Sequence, residues 1–186
     1  MHPRLLSYTR RAAVSALPEY FRGGIVQVPM HLTEILQPEC VRVPLASAHK
    51  QQAIFELVEV LADHDQITDR GALRDAVWKR EQTRTTGIGH GLAIPHGKTP
   101  GCGRLCMAVG LTKQPIDFGA IDGLPVELII LLASPADQTG PHIQALATIS
   151  NLLTDADFRN ELKKAPTADA LYGMIEQRER EAQEAK

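Results

Sequence analysis

The chain carries little that could be built into a disulfide framework. It has three cysteines, Cys40, Cys102 and Cys106, an odd number with no Cys-x-x-Cys pair, so reduced thiols in a cytoplasmic protein are expected. Excess charge is also lacking: the formal net charge is −2, which gives no electrostatic footprint for nucleic acid. No apolar run approaches the roughly 18–20 residues of a membrane span; VELIILLA is far too short. What is present is 44% hydrophobic residues in a chain of 186, the composition and size of one globular domain with some terminal excess.

Residues 87–97, GIGHGLAIPHG, place two histidines among four glycines. A dinucleotide fingerprint fails there, because GIGHGL has leucine where the last glycine is required and no helical pattern follows. A Walker loop fails as well, since Leu92 occupies the position of the upstream glycine before Gly97-Lys98-Thr99. A metal site drawing on His90, His96 and Cys102 lacks the usual ligand spacing, and Cys106 lies inside the apolar run LCMAVGL, where cysteine acts as a small hydrophobe. No cofactor and no metal are expected.

Residues 1–27 form an extension with an arginine-rich, acid-poor start, expected to be flexible; residues 28–177 form the domain, and residues 178–186 a charged tail of the last helix. Within the domain, strand and helix patterns alternate. CVRVPL is a strand candidate after a helical turn at LTEIL. SAHKQQAIFELVEVLADH sets Ile54, Leu57, Val58 and Leu61 at helical spacing, with Ser47 as expected N-cap. TDRGALRDAVWKRE is a second helix capped by Thr68, with Leu73, Ala76 and Val77 inward. RLCMAVGL and VELIILLA are buried strands, and PIDFGAIDGLP between them offers a short strand and a turn at Asp122-Gly123. HIQALATISNLL is an amphipathic helix with Ile143, Leu146, Ala147, Ser150 and Leu153 as its inward stripe. DADFRNELKKA and TADALYGMIEQ follow as helices, the second capped by Thr167. Such alternation implies an α/β domain, with helices flanking a mixed or largely parallel sheet.

His96 lies between Pro95 and Gly97 after the short apolar strand LAI. Proline fixes its own φ, and a glycine with φ > 0 would let the chain turn and leave the imidazole open at the carboxyl end of the strand. A buried histidine that satisfies the turn fits the same pattern. Pro141 suits the first position of a helix and puts His142 in its first turn, where amide groups and the dipole favour an anion; taken alone, His142 also fits a polar end cap. Arg80 closes the second helix, where a solvated charge is equally at home. Together these three residues would make a compact phosphate-binding set.

TGIGHGLAIPHGK, followed by PIDFGAIDGLPVELIILLASPADQTGPHIQAL, resembles the enzyme IIA proteins of the bacterial phosphoenolpyruvate-dependent phosphotransferase system. More narrowly, it is similar to the fructose/mannitol-type superfamily and its nitrogen-regulatory branch, over roughly Leu32–Glu176. The resemblance implies a mixed β-sheet flanked by helices in a single domain. It implies that His96 is the phosphorylated histidine, that Arg80 stabilises the phosphoryl group, and that His142 hydrogen-bonds to it. It also implies a histidine-containing phosphocarrier protein as donor, and regulatory protein targets or a IIB component downstream. A sugar-specific IIA and a non-catalytic interaction module are the alternatives, the latter expected to have lost one of the three residues. Two departures accompany the resemblance: His90, where relatives usually carry asparagine or another polar residue, and the N-terminal extension.

Overall fold

The computed structural model describes residues 30–184; the extension expected at residues 1–27 lies outside them. A 3-10 turn at Leu32–Glu34 leads into strand β1 (Leu36–Leu45). Helices α1 (Lys50–Asp63) and α2 (Arg70–Thr83) follow, then three short strands, β2 (Gly87–Gly89), β3 (Leu92–Ala93) and β4 (His96–Lys98). Two long strands come next, β5 (Cys106–Ile116) and β6 (Val126–Ser134), and the chain ends in α3 (Thr139–Leu152), α4 (Ala156–Leu162) and α5 (Ala168–Glu184).

The sheet is mixed, in the order β1-β5-β6-β3-β2, with β4 also paired to β6. β5 and β6 are antiparallel, whereas β1 runs parallel to β5, and β3 and β4 run parallel to β6. β6 is the spine: every residue but Glu127 is buried, which explains why LIILLA, after that glutamate, is a continuous apolar run without alternation. Helices cover it, with α1 against β1 and β5, α2 against α1 and β4, and α5 against β1.

Several local expectations are corrected. β1 begins four residues before CVRVPL, reaching Leu36 across an irregularity in its register with β5. The segment PIDFGAIDGLP holds no separate strand, because β5 runs on through Ile116 before the turn. Ser47 does not cap α1: His49 precedes the helix, and Ser47 binds Glu56 through its backbone N and its hydroxyl. Thr68 does not cap α2 either. Asp69 does so, accepting from Ala72 N at 2.9 Å, while the Thr68 hydroxyl and N both donate to the Gly101 carbonyl. Thr167 caps α5 as expected, its hydroxyl accepting from Ala170 N.

The inward face of α3 is not the one the apolar residues suggest. His142, Ala145 and Ile149 are buried with Leu153, whereas Ile143 is 60% exposed. The stripe follows His142, which has a buried partner, and so turns by about one residue (roughly 100° of helix) from the apolar tally. The charged segment from residue 178 continues α5, and there Glu179 is buried. Its carboxylate accepts from Leu32 N, Thr33 N and the Thr33 hydroxyl, tying α5 to the start of the described chain.

Three glycines, Gly89, Gly91 and Gly97, explain much of the Gly-rich segment. Gly89, His90 and Gly91 all have positive φ, at 91°, 56° and 77°, and form the tight turn between β2 and β3. His90 serves there through its backbone: its N donates to Asp122 Oδ2 at 2.8 Å and its side chain is exposed. Histidine is among the few non-glycine side chains that tolerate this conformation. Gly97 is not among the residues with positive φ, contrary to the expected sharp turn. It is a strand residue that α2 crosses closely, so that a Cβ there would stand 2.8 Å from Val77 Cγ2 and 3.0 Å from Val77 N.

Candidate functional site

His96 opens β4 instead of ending the LAI strand, and pairs with Leu132 of β6. The break at Ile94-Pro95 turns its ring back onto the chain, with Nδ1 2.8 Å from the Ile94 carbonyl oxygen. A carbonyl can only accept, so Nδ1 carries the proton and Nε2 keeps the lone pair. Pro95 contributes no competing N–H, and its own carbonyl accepts from Leu132 N.

α2 brings in Arg80 from its last turn. One guanidinium nitrogen, Nη1, donates to the Arg84 carbonyl at 2.8 Å, which fixes the head group at the helix end. The following residue, Glu81, is buried; it binds Thr86 N with both oxygens and forms an ion pair with Lys50. This carboxylate anchors the turn from α2 into β2, and thereby the helix end that carries Arg80. α3 brings in His142, whose ring centroid lies 5.5 Å from that of His96 at a tilt of 58°. Pro141 occupies the third position of α3, not the first, and His142 the fourth, its N donating to Gln138 O. His142 Nδ1 is 2.8 Å from the hydroxyl of buried Ser134, the last residue of β6.

The three expected residues therefore meet. They line one open pocket of about 520 Å³, together with Lys79, Thr83 and Lys98. Its wall holds three fixed cations and two imidazoles, and no carboxylate lines it among the described residues. Lys98 is more than a solvated charge: Nζ donates to Thr139 Oγ1 at 2.7 Å, where α3 begins. His90 does not line this pocket, and the Cys102 thiol faces Cys106 at 3.7 Å instead of a histidine. Among the described residues, no group of three His, Cys, Asp or Glu side chains is placed to hold a metal ion.

Burial holds the His96 imidazole below its ordinary pKa; the bond to the Ile94 carbonyl opposes this, Arg80 adds to it, and Glu81 opposes it. His142 is pushed down further, to about 4, by burial first and then by His96 and Lys98. Both rings are neutral near pH 7, and the unprotonated Nε2 of His96 belongs to the same pocket as the Arg80 guanidinium. That arrangement can attack an electrophilic phosphorus and hold the oxygens of the transferred group.

Residues 34–178 match the family described as phosphoenolpyruvate-dependent sugar phosphotransferase system, EIIA 2. The chain belongs to this family. Among relatives of this EIIA chain is a nitrogen regulatory protein of Bradyrhizobium diazoefficiens, 35% identical over 146 residues, covering 78% of this chain and 95% of that protein. Another is a fructose-specific EIIABC component of Bacillus subtilis, 33% identical over 151 residues; the match covers 81% of this chain but only 24% of that protein. Among solved structures, nitrogen regulatory protein IIA-Ntr from Neisseria meningitidis superimposes with a TM-score of 0.72 at 26% identity, covering 77% of this chain and 98% of that one. The mixed sheet flanked by helices is thus the IIA fold. No helix among the described residues is long and apolar enough to cross a membrane.

Sequence reasoning missed several contributors to this pocket, Lys79 and Thr83 of its wall among them. The Ile94 carbonyl is a backbone group with no residue signature. Glu81 reads as one more charge on a polar helix face. Ser134 did carry a signal, as the first hydroxyl after the apolar run of β6, eight residues before His142.

Proposed function

We propose that this chain is a cytoplasmic phosphohistidine carrier that accepts a phosphoryl group on His96 Nε2 from the phosphohistidine of a histidine-containing phosphocarrier protein. Nε2 supplies the electron pair for the new N–P bond. The donor's N–P bond breaks and its electron pair returns to the donor imidazole, so no metal or cofactor enters the balance. Arg80 offers fixed N–H donors to the equatorial oxygens, and His142 hydrogen-bonds to the same group. The observation that carries this reading is the pocket itself, a neutral His96 with its Nδ1 tied back, set among Lys79, Arg80 and Lys98 with no lining carboxylate. The phosphotransferase unit extends past residue 177 to the end of α5, because buried Glu179 belongs to its fold.

The output we propose is regulatory, with phosphorylation deciding which protein targets bind. Support comes from similarity: the chain is 35% identical over 146 residues to the nitrogen regulatory protein of Bradyrhizobium diazoefficiens, and it superimposes on IIA-Ntr of Neisseria meningitidis with a TM-score of 0.72. A sugar-specific IIA that passes phosphate to a fructose/mannitol-type IIB is the second reading, favoured by the 33% identity to that fructose component. The test is incubation with phosphoenolpyruvate and the general phosphotransferase proteins, read by intact mass. One acid-labile phosphoryl group is expected on the wild type and none on His96→Ala. An unmodified wild type with active donors refutes the carrier role. Rapid onward transfer to a purified fructose-type IIB would replace the regulatory output by the sugar-specific one.

A further inference from the structure

The two site histidines have different buried partners, and that difference has a chemical consequence. His96 Nδ1 faces a carbonyl oxygen, which forces the proton onto Nδ1. His142 Nδ1 faces the Ser134 hydroxyl at 2.8 Å, a group that can donate or accept. Ser134 is fully buried, and among the described residues its hydroxyl is paired with His142 alone. If His142 Nδ1 carried the proton, the hydroxyl would accept, and its own hydrogen would be left in the interior without a partner. If the hydroxyl donates to Nδ1, every buried polar hydrogen is used, and the imidazole proton moves to Nε2.

We propose that Ser134 is a positioning residue that fixes His142 as the Nε2–H form, so that the two facing histidines hold opposite tautomers. His96 then presents a lone pair on Nε2, and His142 presents a hydrogen on Nε2. The assignment gives each ring one task. The nucleophile has no Nε2 hydrogen to lose, and its neighbour is a hydrogen-bond donor to the phosphoryl oxygens without carrying a charge. Burial, together with His96 and Lys98 nearby, keeps His142 neutral, so its donor capacity at neutral pH rests on which nitrogen holds the single proton. The role in transfer rests on the carrier function proposed above, whereas the tautomer is a property of the unphosphorylated protein.

Long-range ¹H–¹⁵N correlation spectra of the ¹⁵N-labelled, unphosphorylated chain at neutral pH test this directly. The expected result is an Nδ1–H pattern for His96 and an Nε2–H pattern for His142. An Nδ1–H pattern for His142 overturns the proposal. In Ser134→Ala the His142 signals should shift towards a tautomer mixture and phosphoryl transfer should slow by roughly tenfold, the scale of one hydrogen bond. Ser134→Thr, which keeps the hydroxyl, should retain the wild-type tautomer. Wild-type His142 signals and transfer rate in Ser134→Ala overturn the positioning role, and should that variant not fold, the wild-type spectrum still decides. A wild type that shows the two tautomers but takes up no phosphoryl group refutes the carrier function and leaves the tautomer assignment intact.

Discussion

Gly97→Ala places one methyl group where α2 crosses β4, and its cost follows from three distances. The new Cβ would lie 2.8 Å from Val77 Cγ2, 3.0 Å from Val77 N and 3.3 Å from the Ala76 carbonyl carbon. Ordinary contact begins near 3.4 Å, so the overlap is several tenths of an ångström. Two of the three neighbours are α2 backbone, and Val77 is fully buried, so no rotamer change relieves the clash. The helix has to move outward. Overpacking of this kind costs about 1–3 kcal/mol. Taking about 2 kcal/mol, and about 2–4 °C per kcal/mol for a domain of this size, Tm should fall by about 4–8 °C. Because α2 carries Arg80 only three residues beyond Val77, the guanidinium shifts with it, and a misplacement approaching 1 Å can cost about a hundredfold in rate. Thermal unfolding followed by circular dichroism gives the first quantity, and rapid-quench phosphoryl transfer the second. A Tm within about a degree of wild type, with unchanged transfer, would show that the helix-strand contact is not the reason for glycine here.

Acid should destabilise the fold partly through His142. Its folded pKa of about 4 lies below the ordinary histidine value of 6.5, so as pH falls between these values the unfolded chain binds a proton that the folded one refuses. The associated stability is fully present above about 6.5 and is lost towards pH 4, up to about 3 kcal/mol. Urea midpoints should therefore fall more steeply with acid in the wild type than in His142→Gln; equal slopes would contradict this. Arg80→Ala should keep the wild-type circular dichroism spectrum while transfer slows at least about tenfold, and Arg80→Lys should recover only part because it lacks the planar fork. Unchanged kinetics in Arg80→Ala would remove it from the site. Glu81→Gln leaves Lys50 without its buried counter-charge and weakens the hold on Thr86, so urea unfolding should show a loss of about 1–3 kcal/mol. Wild-type stability would refute the anchoring role.

The alternation of elements was legible because β6 and the apolar faces of α1 and α2 have patterns that few other folds would need. Arg80, His96 and His142 each fit a bland role taken alone; the structure brings all three to one pocket, a meeting that no local spacing foretells. What escaped notice has one cause: local pattern does not report the partner across the fold. The α3 stripe was misplaced because a buried histidine outweighs exposed Ile143, and only the position of Ser134 reveals that. A turn is expected at Gly97 because glycine takes positive φ freely, whereas here it answers to the backbone of a helix twenty residues earlier. Thr68 and Asp69 both satisfy a capping pattern, and the choice between them was made by Gly101, whose carbonyl takes the threonine.

The buried Glu179 has a meaning for how this domain can be carried. It holds Leu32 and Thr33 from the far end of α5, and Gln183 reaches the ring of His31 nearby. Entry and exit of the folded unit are therefore side by side, and a longer polypeptide could host the unit as a single pendant without stretching across it. The same adjacency makes it a good subject for circular permutation. A short bridge between the two ends would leave the sheet and the His96 pocket uncut, while new termini opened in the exposed turn at residues 103–104 would separate β4 from β5 in sequence but not in space.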